Sequence, residues 1–290
     1  METAVIIPSL NATTVAKTID ALLRQTIKPD QIIVVGRDEP NQLAGYSDVM
    51  FIDTQVPICA AAARNRGIAA TSAEIVLLLD SDCIPEPHWL ATHVAAQANG
   101  HAVIGGGILI DSKNYWTQSD NVSMFHDFVA QLPEGPRKDL PTLNMSVSRA
   151  VIDAVGGFDE SFPGAAGEDS DWAMRIKRAG FSLHFVPTAA VRHAPARTTW
   201  RDFVRHWQGM GRGGIRVRLR YKREFNTPMW VGNPFWLRVL SPLVALRGIG
   251  RIFTQSIFWR YWTALPVVFA SKIIYCFSAA RAIENGEVSA

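Results

Sequence analysis

The chain has 290 residues, 48% of them hydrophobic and 19% charged, which is enough apolar sequence for a large core and too much for a disordered chain. A formal net charge of +3 excludes a general attraction to nucleic acid and moves the question to where the basic residues sit. The cysteines, Cys59, Cys83 and Cys276, are odd in number and lack C-x-x-C spacing, which argues against a disulfide framework or a zinc knuckle and fits a reducing compartment.

From the N-terminus, METAVIIPSL carries Glu2, no basic segment and an apolar run cut by Pro8, so no signal peptide is expected. Val- and Ile-rich runs predict strands at 4–7, 31–35, 49–52, 75–79 and 102–110. Helical patterns lie between them. TTVAKTIDALLRQ sets Val15, Ile19, Leu22 and Leu23 on one face, CAAARNRGIAAT is rich in small residues, and EPHWLATHVAAQ carries Trp89, Leu90 and Val94. Short apolar strands alternating with helices predict βαβ units in an α/β fold, with a mostly parallel sheet covered on both faces. Ligands of such sheets bind beyond the carboxyl ends of the strands.

The stretch VLLLDSDCIPEP ends the most apolar strand on Asp80 and Asp82. One reading is a strand stop followed by a helix cap, for which a single aspartate suffices. The other is a divalent-ion site, because two carboxylates at i and i+2 repel unless a cation or a ligand hydroxyl lies between them, and Mg²⁺ or Mn²⁺ takes one or two such oxygens beside a diphosphate. Further on, GGFDESFPGAAGEDSDWAMRIKRAG crowds Glu168, Asp169 and Asp171 into the first turn of an amphipathic helix. Three acids exceed what capping needs, and their mutual repulsion raises at least one pKa, the preparation a general base requires. The glycines of PGAAGED allow close backbone approach or a moving lid.

The order VIIPSLN, AAARNRGIAAT, VLLLDSD, LNMSVSRAVIDAVGGFDESF, GEDSDWAMRIKRAG and AVRHAP resembles the inverting family 2 glycosyltransferases with the GT-A fold over the first two-thirds of the chain. The resemblance implies a catalytic domain at 1–198 that moves a sugar from a nucleoside-diphosphate sugar to an acceptor hydroxyl with inversion. It implies that Pro8, Ser9 and Asn11 line the nucleotide pocket, that Arg64 and Asn65 approach the donor, and that Asp80 touches the ribose or sugar. It places Asp82 and, after the strand TAAV, His193 on a divalent cation, Mn²⁺ or Mg²⁺. Asp169 matches the catalytic base, with Glu168 and Asp171 holding the acceptor or tuning it. Many relatives end the second strand on an aspartate that reads the base; here IIVVGRDEP offers Gly36 and Arg37 first and the acid only at Asp38, so UDP, GDP and dTDP sugars all stay open. HWQGMGRGG departs from the Q-x-x-R-W of processive synthases, which points to one sugar per encounter.

The remainder, 199–290, differs. WRDFVRHWQGMGRGGIRVRLRYKR is dense in arginine and nearly free of acids, a basic helix in which 216–222 also suits a strand. The following segments are rich in Trp, Phe and Leu but punctuated by Arg238, Arg247, Arg251, Arg260 and Lys272. A span needs about 20 predominantly apolar residues, and the uncharged run 261–271 is shorter. Amphipathic and hydrophobic helices lying in the interface at the cytoplasmic face of a membrane are therefore expected, with a glycan or lipid-linked acceptor and no nucleic acid as partner. The competing reading packs these helices on the catalytic domain or on a second subunit; the sequence carries no signal for an oligomeric state. Three other functions compete: a sugar nucleotidyltransferase, against which PSLNATT lacks a glycine-rich phosphate loop; a basic nucleic-acid-binding protein using Arg201 to Arg223, which leaves the acids from Glu168 to Asp171 unexplained; and a catalytically inactive membrane-bound scaffold, against which the acidic positions are intact.

Overall fold

The computed structural model describes residues 1–162 and 164–288. In chain order the elements are β1 (Thr3–Leu10), α1 (Val15–Leu23), β2 (Gln31–Arg37), β3 (Met50–Asp53), α2 (Ala60–Ala69), β4 (Ile75–Leu79), β5 (Cys83–Pro85), α3 (Trp89–Ala98), β6 (Val103–Leu109) and α4 (Tyr115–Phe125). They continue with β7 (Gly135–Pro136), β8 (Asn144–Ser148), α5 (Arg149–Val155), α6 (Glu168–Arg178), β9 (His184–His193), α7 (Trp200–Arg220), α8 (Pro234–Val239), α9 (Ser241–Phe253) and α10 (Leu265–Glu284), the last preceded by a 3₁₀ segment, Ser256–Ala264. The chain divides into two compact units, one of Met1–Leu109, Asp127–Ser161 and Glu168–Ala196, the other of Ile110–His126, Phe162–Gly167 and Arg197–Ala290.

All the strands belong to the first unit and form one sheet in the order β3-β2-β1-β4-β8-β6-β9-β5, with β7 paired to β9. The half from β3 to β4 is parallel, as the βαβ pattern predicts. Beyond it the sheet is mixed rather than mostly parallel, because β8 runs antiparallel to both β4 and β6. Every residue of β4 is buried, the signature of a central strand. Behind the sheet, Asn144 of β8 donates to the backbone oxygens of Gly107 and Ala189 at 3.0 and 2.9 Å and accepts from the Trp89 indole at 2.7 Å. These bonds satisfy a fully buried amide and fix β8 against its neighbours.

In the second unit α7 is one helix through Arg220, so the alternative of a strand at 216–222 does not form. Three of its four glycines are packing positions: a Cβ at Gly211 would lie 2.5 Å from the Tyr275 backbone oxygen, one at Gly214 2.4 Å from the Tyr275 hydroxyl, and one at Gly213 1.9 Å from the Ala166 oxygen. The loop expected as a lid thus rests its backbone on α7. Buried Asp120 of α4 accepts from the Trp207 indole at 2.8 Å, from Arg197 Nε at 3.1 Å and pairs with His206 Nδ1 at 3.1 Å. Burial opposes its charge, yet His206 and Arg197 hold its carboxyl down at about 2.

The stretch Ser256–Glu284 is long and apolar enough to cross a membrane by length and composition, its most apolar 18 residues having a mean hydropathy of 1.5 and 39% of them buried. Its middle charge, Lys272, is turned inward, donating to the Ser123 oxygen at 3.2 Å and lying 4.4 Å from the Trp207 ring. Burial lowers the Lys272 pKa to about 8.

Candidate active site

The site is assembled from three strand ends and two helix starts of the first unit. At the end of β4 the chain turns sharply, the Cys83 amide donating to the Asp80 oxygen at 3.0 Å. The Ser81 carbonyl between the two aspartates accepts from Thr14 at 2.8 Å and Thr18 at 3.1 Å, so α1 fixes the turn. Register does the next step. Cys83 of β5 pairs with His193 of β9, and the Ala194 amide donates to the Asp82 oxygen at 2.9 Å, which sets Asp82 Oδ1 3.6 Å from His193 Nε2. The donor atoms of Asp82, Cys83 and His193 all lie within 4.8 Å of one another. A carboxylate oxygen and an imidazole nitrogen at this separation suit a divalent ion such as Mn²⁺, whereas the buried Cys83 thiol, which the sequence reading did not count, suits softer ions.

The second feature is Arg64 of α2, 3% exposed, which donates from Nη2 to Asp80 Oδ1 and from Nη1 to Glu168 Oε1, both at 2.9 Å. It ties the end of β4 to the start of α6. Burial works against its charge, but Asp80 and Glu168 outweigh it and raise its pKa. The carboxylates opposite are perturbed in turn: burial and then the charge of Asp169 push Glu168 up to about 7. Asp169 is partly exposed and accepts from the Ser170 amide at 2.8 Å; withdrawal of water raises its pKa, the nearby Asp80 charge adds to this, and Arg64 opposes it. Glu168 Oε2 and Arg64 Nε are buried with no hydrogen-bond partner among the described residues, an incomplete network of the kind a ligand or water completes.

Asp139, in the loop before β8, went unnoticed in the sequence. Its Oδ2 accepts from the Ser170 hydroxyl at 2.5 Å, and burial followed by the charge of Asp169 raises it to about 7. No periodicity marks it, since Ser170 is 31 residues away. Asp171 takes a different direction. It is fully buried and paired at 3.0 Å with Arg175, which also donates to the oxygens of Val155 and Gly157. At about 100° per residue, Asp169 and Asp171 project from opposite sides of α6.

The expected nucleotide residues fall into two places. Pro8, Ser9 and Asn11 lie at the end of β1 beside the end of β2, where Ser9 pairs with Gly36. Asn11 Oδ1 accepts from the Glu39 amide at 2.9 Å, and both Asp38 oxygens accept backbone amides, of Gln42 at 2.9 Å and Leu43 at 2.7 Å. Asp38 therefore shapes the loop that follows β2. Gly36 has φ +144°, and a Cβ there would lie 1.8 Å from the Ser9 oxygen, so the strand end has no room for the aspartate found in many relatives. Asn65 is elsewhere: its amide clamps the loop after α5, bonding the Phe158 backbone at 2.7 and 3.0 Å and Glu160 at 2.8 Å.

A family model described as "glycosyltransferase like family 2" matches residues 2–211. The chain belongs to this family. It is similar to the glycosyltransferase AglE of Haloferax volcanii, at 27% identity over 274 residues, covering 89% of each protein. Among solved structures it resembles the mannosyltransferase PcManGT from Pyrobaculum calidifontis in complex with GDP-Man and Mn²⁺, with a TM-score of 0.64 at 16% identity over 98% of this chain and 87% of that one. It also resembles GalNAc-T7 with UDP, GalNAc and Mn²⁺, with a TM-score of 0.61 at 14% identity over 80% of this chain and 50% of that one. At these identities the structural likeness establishes the GT-A fold alone. This family 2 glycosyltransferase has Asp80 and Asp82 in the turn after β4 and Glu168, Asp169 and Asp171 in the first turn of α6.

Proposed function

We propose that this glycosyltransferase moves one sugar from a nucleoside-diphosphate sugar to an acceptor hydroxyl in a single displacement that inverts the anomeric carbon. The observation that carries the reading is the Arg64 bridge, which gathers the D-S-D turn and the E-D helix start into one site. Asp169 takes the proton of the attacking hydroxyl, its raised pKa suiting it to that task. Glu168 and Asp139 flank it, each raised by burial and then by the Asp169 charge, while burial and the Asp80 charge raise Asp169 itself. Arg64 and Asp80 face the donor, and the ends of β1 and β2, through Pro8, Ser9, Asn11 and the Asp38 loop, receive its nucleotide. Asp82 and His193 would hold a divalent cation, Mn²⁺ or Mg²⁺, which when bound stabilises the charge of the leaving diphosphate. Asp171 supports the helix through Arg175, and Asn65 supports the neighbouring loop.

The catalytic part is 1–198 and the acceptor is a glycan or a lipid-linked sugar, reached at the cytoplasmic face of a membrane by the part from 199 to 290. In support, α8, α9 and the 3₁₀ segment expose Phe235, Leu243, Leu246, Trp259 and Trp262, all more than half accessible, beside exposed Arg247, Arg251 and Arg260. Aromatic side chains interleaved with arginines suit an anionic bilayer surface. The test of the donor reading is a melting-temperature panel of UDP, GDP, dTDP and CDP and their sugars with Mn²⁺, Mg²⁺ or EDTA. A ligand that binds only the folded chain raises its apparent stability. One nucleotide should raise it in a cation-dependent way that Asp82→Ala abolishes; no rise with any of them, with and without lipid vesicles, would overturn the reading.

A further inference from the structure

We propose that a cleft in the second unit binds an anionic phospholipid, holding the phosphate between arginines and the hydrocarbon chain against an apolar wall. The cleft, about 550 Å³, is bordered by α7, α8 and α10, a volume typical of small-molecule sites. Arg212 of α7, Arg238 of α8 and Arg281 of α10 line it, converging from three different helices. Along the cleft, one to two turns from the arginines on the same faces of α7 and α10, the lining is apolar, chiefly Val204, Ile274 and Phe277, the last 49% exposed. Between the two helices that carry most of the lining, the Ser278 hydroxyl donates to the Gln208 backbone oxygen at 2.6 Å.

The arginines differ in what they are doing. Arg238 is engaged, forking onto both carboxylate oxygens of Glu284 at 2.6 Å. Arg212 and Arg281 are exposed, and no carboxylate of the described residues lies within ion-pair distance of either. Three guanidinium groups thus line the cleft against two carboxylates, Glu284, taken up by Arg238, and Glu287, which is bonded by Asn285 at 2.8 Å. Guanidinium forks match phosphate oxygens bidentately, which a lone ammonium does not. A free phosphate would leave Val204, Ile274 and Phe277 unused. A nucleotide would need a stacking slot, and Phe277 is the single aromatic in the lining. A phosphate carried on an aliphatic chain uses both the arginine end and the apolar end of the cleft.

The inference goes beyond the transfer reaction, and it is separate from the surface attachment by α8 and α9 because a monomeric lipid tests it. Calorimetric titration of the full chain would compare dihexanoyl phosphatidic acid below its micellar concentration, dihexanoyl phosphatidylcholine and inorganic phosphate. Phosphatidic acid should bind, and more tightly than the other two. The pair Arg212→Gln and Arg281→Gln should weaken it about tenfold or more, with an unchanged melting temperature because both positions are exposed. Phe277→Ser should weaken phosphatidic acid several-fold and leave inorganic phosphate unaltered. The proposal is overturned if phosphatidic acid does not bind, if the arginine pair makes no difference, or if inorganic phosphate binds as tightly as the lipid.

Discussion

Replacing Glu168 by glutamine removes a buried carboxyl while keeping an oxygen that can accept from Arg64, and the consequence for stability depends on pH in a way the structure fixes. Glu168 is 3% exposed, and its pKa rises from an ordinary 4.5 to about 7 on folding. Between those values the folded chain holds the proton and the unfolded chain does not. The stabilisation from that proton is complete below about pH 4.5 and lost as pH rises through about 7. At about 1.4 kcal/mol for each tenfold change in proton affinity, the ionised side chain costs the fold about 3 kcal/mol above pH 7, an upper figure because Asp169 shares the proton. Glu168→Gln does not titrate. Relative to the parent chain, its stability in urea should therefore rise by about 2–3 kcal/mol between pH 5 and pH 8. Asp139, also raised to about 7, is present in both chains and cancels in the difference. A difference that stays level within about 0.5 kcal/mol across this range would refute the account of a carboxylate cluster crowded beyond what Arg64 neutralises.

Asp169→Asn should bind the donor as the parent does and lose transfer by about 10²- to 10⁴-fold, measured by single-turnover kinetics; the parent's transfer rate should rise with pH as the raised Asp169 carboxyl ionises. Gly36→Asp, which brings in the acid common among relatives, should destabilise the chain by several kcal/mol rather than improve nucleotide binding, since its Cβ would meet the Ser9 oxygen at 1.8 Å; an unchanged melting temperature would contradict this. Trp259→Ser with Trp262→Ser, both more than 60% exposed, should leave the melting temperature alone and cut sedimentation with anionic vesicles severalfold.

The strands and the order of the acidic motifs were legible because they follow from local pattern. A short apolar run such as that of β4, closed by turn residues, reads as a strand buried on both faces, and the turn after it brings the following acids to the strand's end. The direction of β8 was not legible, because NMSVS alternates identically in a parallel and an antiparallel neighbour. Nor was the division of labour among the acids of α6. The sequence sets Glu168, Asp169 and Asp171 side by side, yet the helical rotation turns Asp171 toward Arg175 and leaves the other two at the site. Helical rotation alone separates Asp169 from Asp171, but which of them meets a partner depends on contacts the sequence does not show. Arg64 meets Glu168 across 104 residues, and Asp139 meets Ser170 through a loop with no regular pattern.

The same contrast explains the glycines of α7. Read against a processive motif they look like a degenerate active-site signature, but Gly211 and Gly214 stand where Tyr275 leaves no space for a Cβ, and Gly213 where Ala166 leaves none. A glycine-rich stretch in a helix costs about 1 kcal/mol per residue against alanine, a cost offset here by close packing with α10 and with the loop that precedes Glu168. On the α7 side that loop meets backbone at Gly213, where a Cβ on Gly167 (φ +93°) would lie 2.7 Å from the Gly213 oxygen, and Arg216 and Arg220 lie over the Phe162 ring at 4.5 and 5.5 Å. Any side chain at 167 or 213 would therefore push this loop and α7 apart.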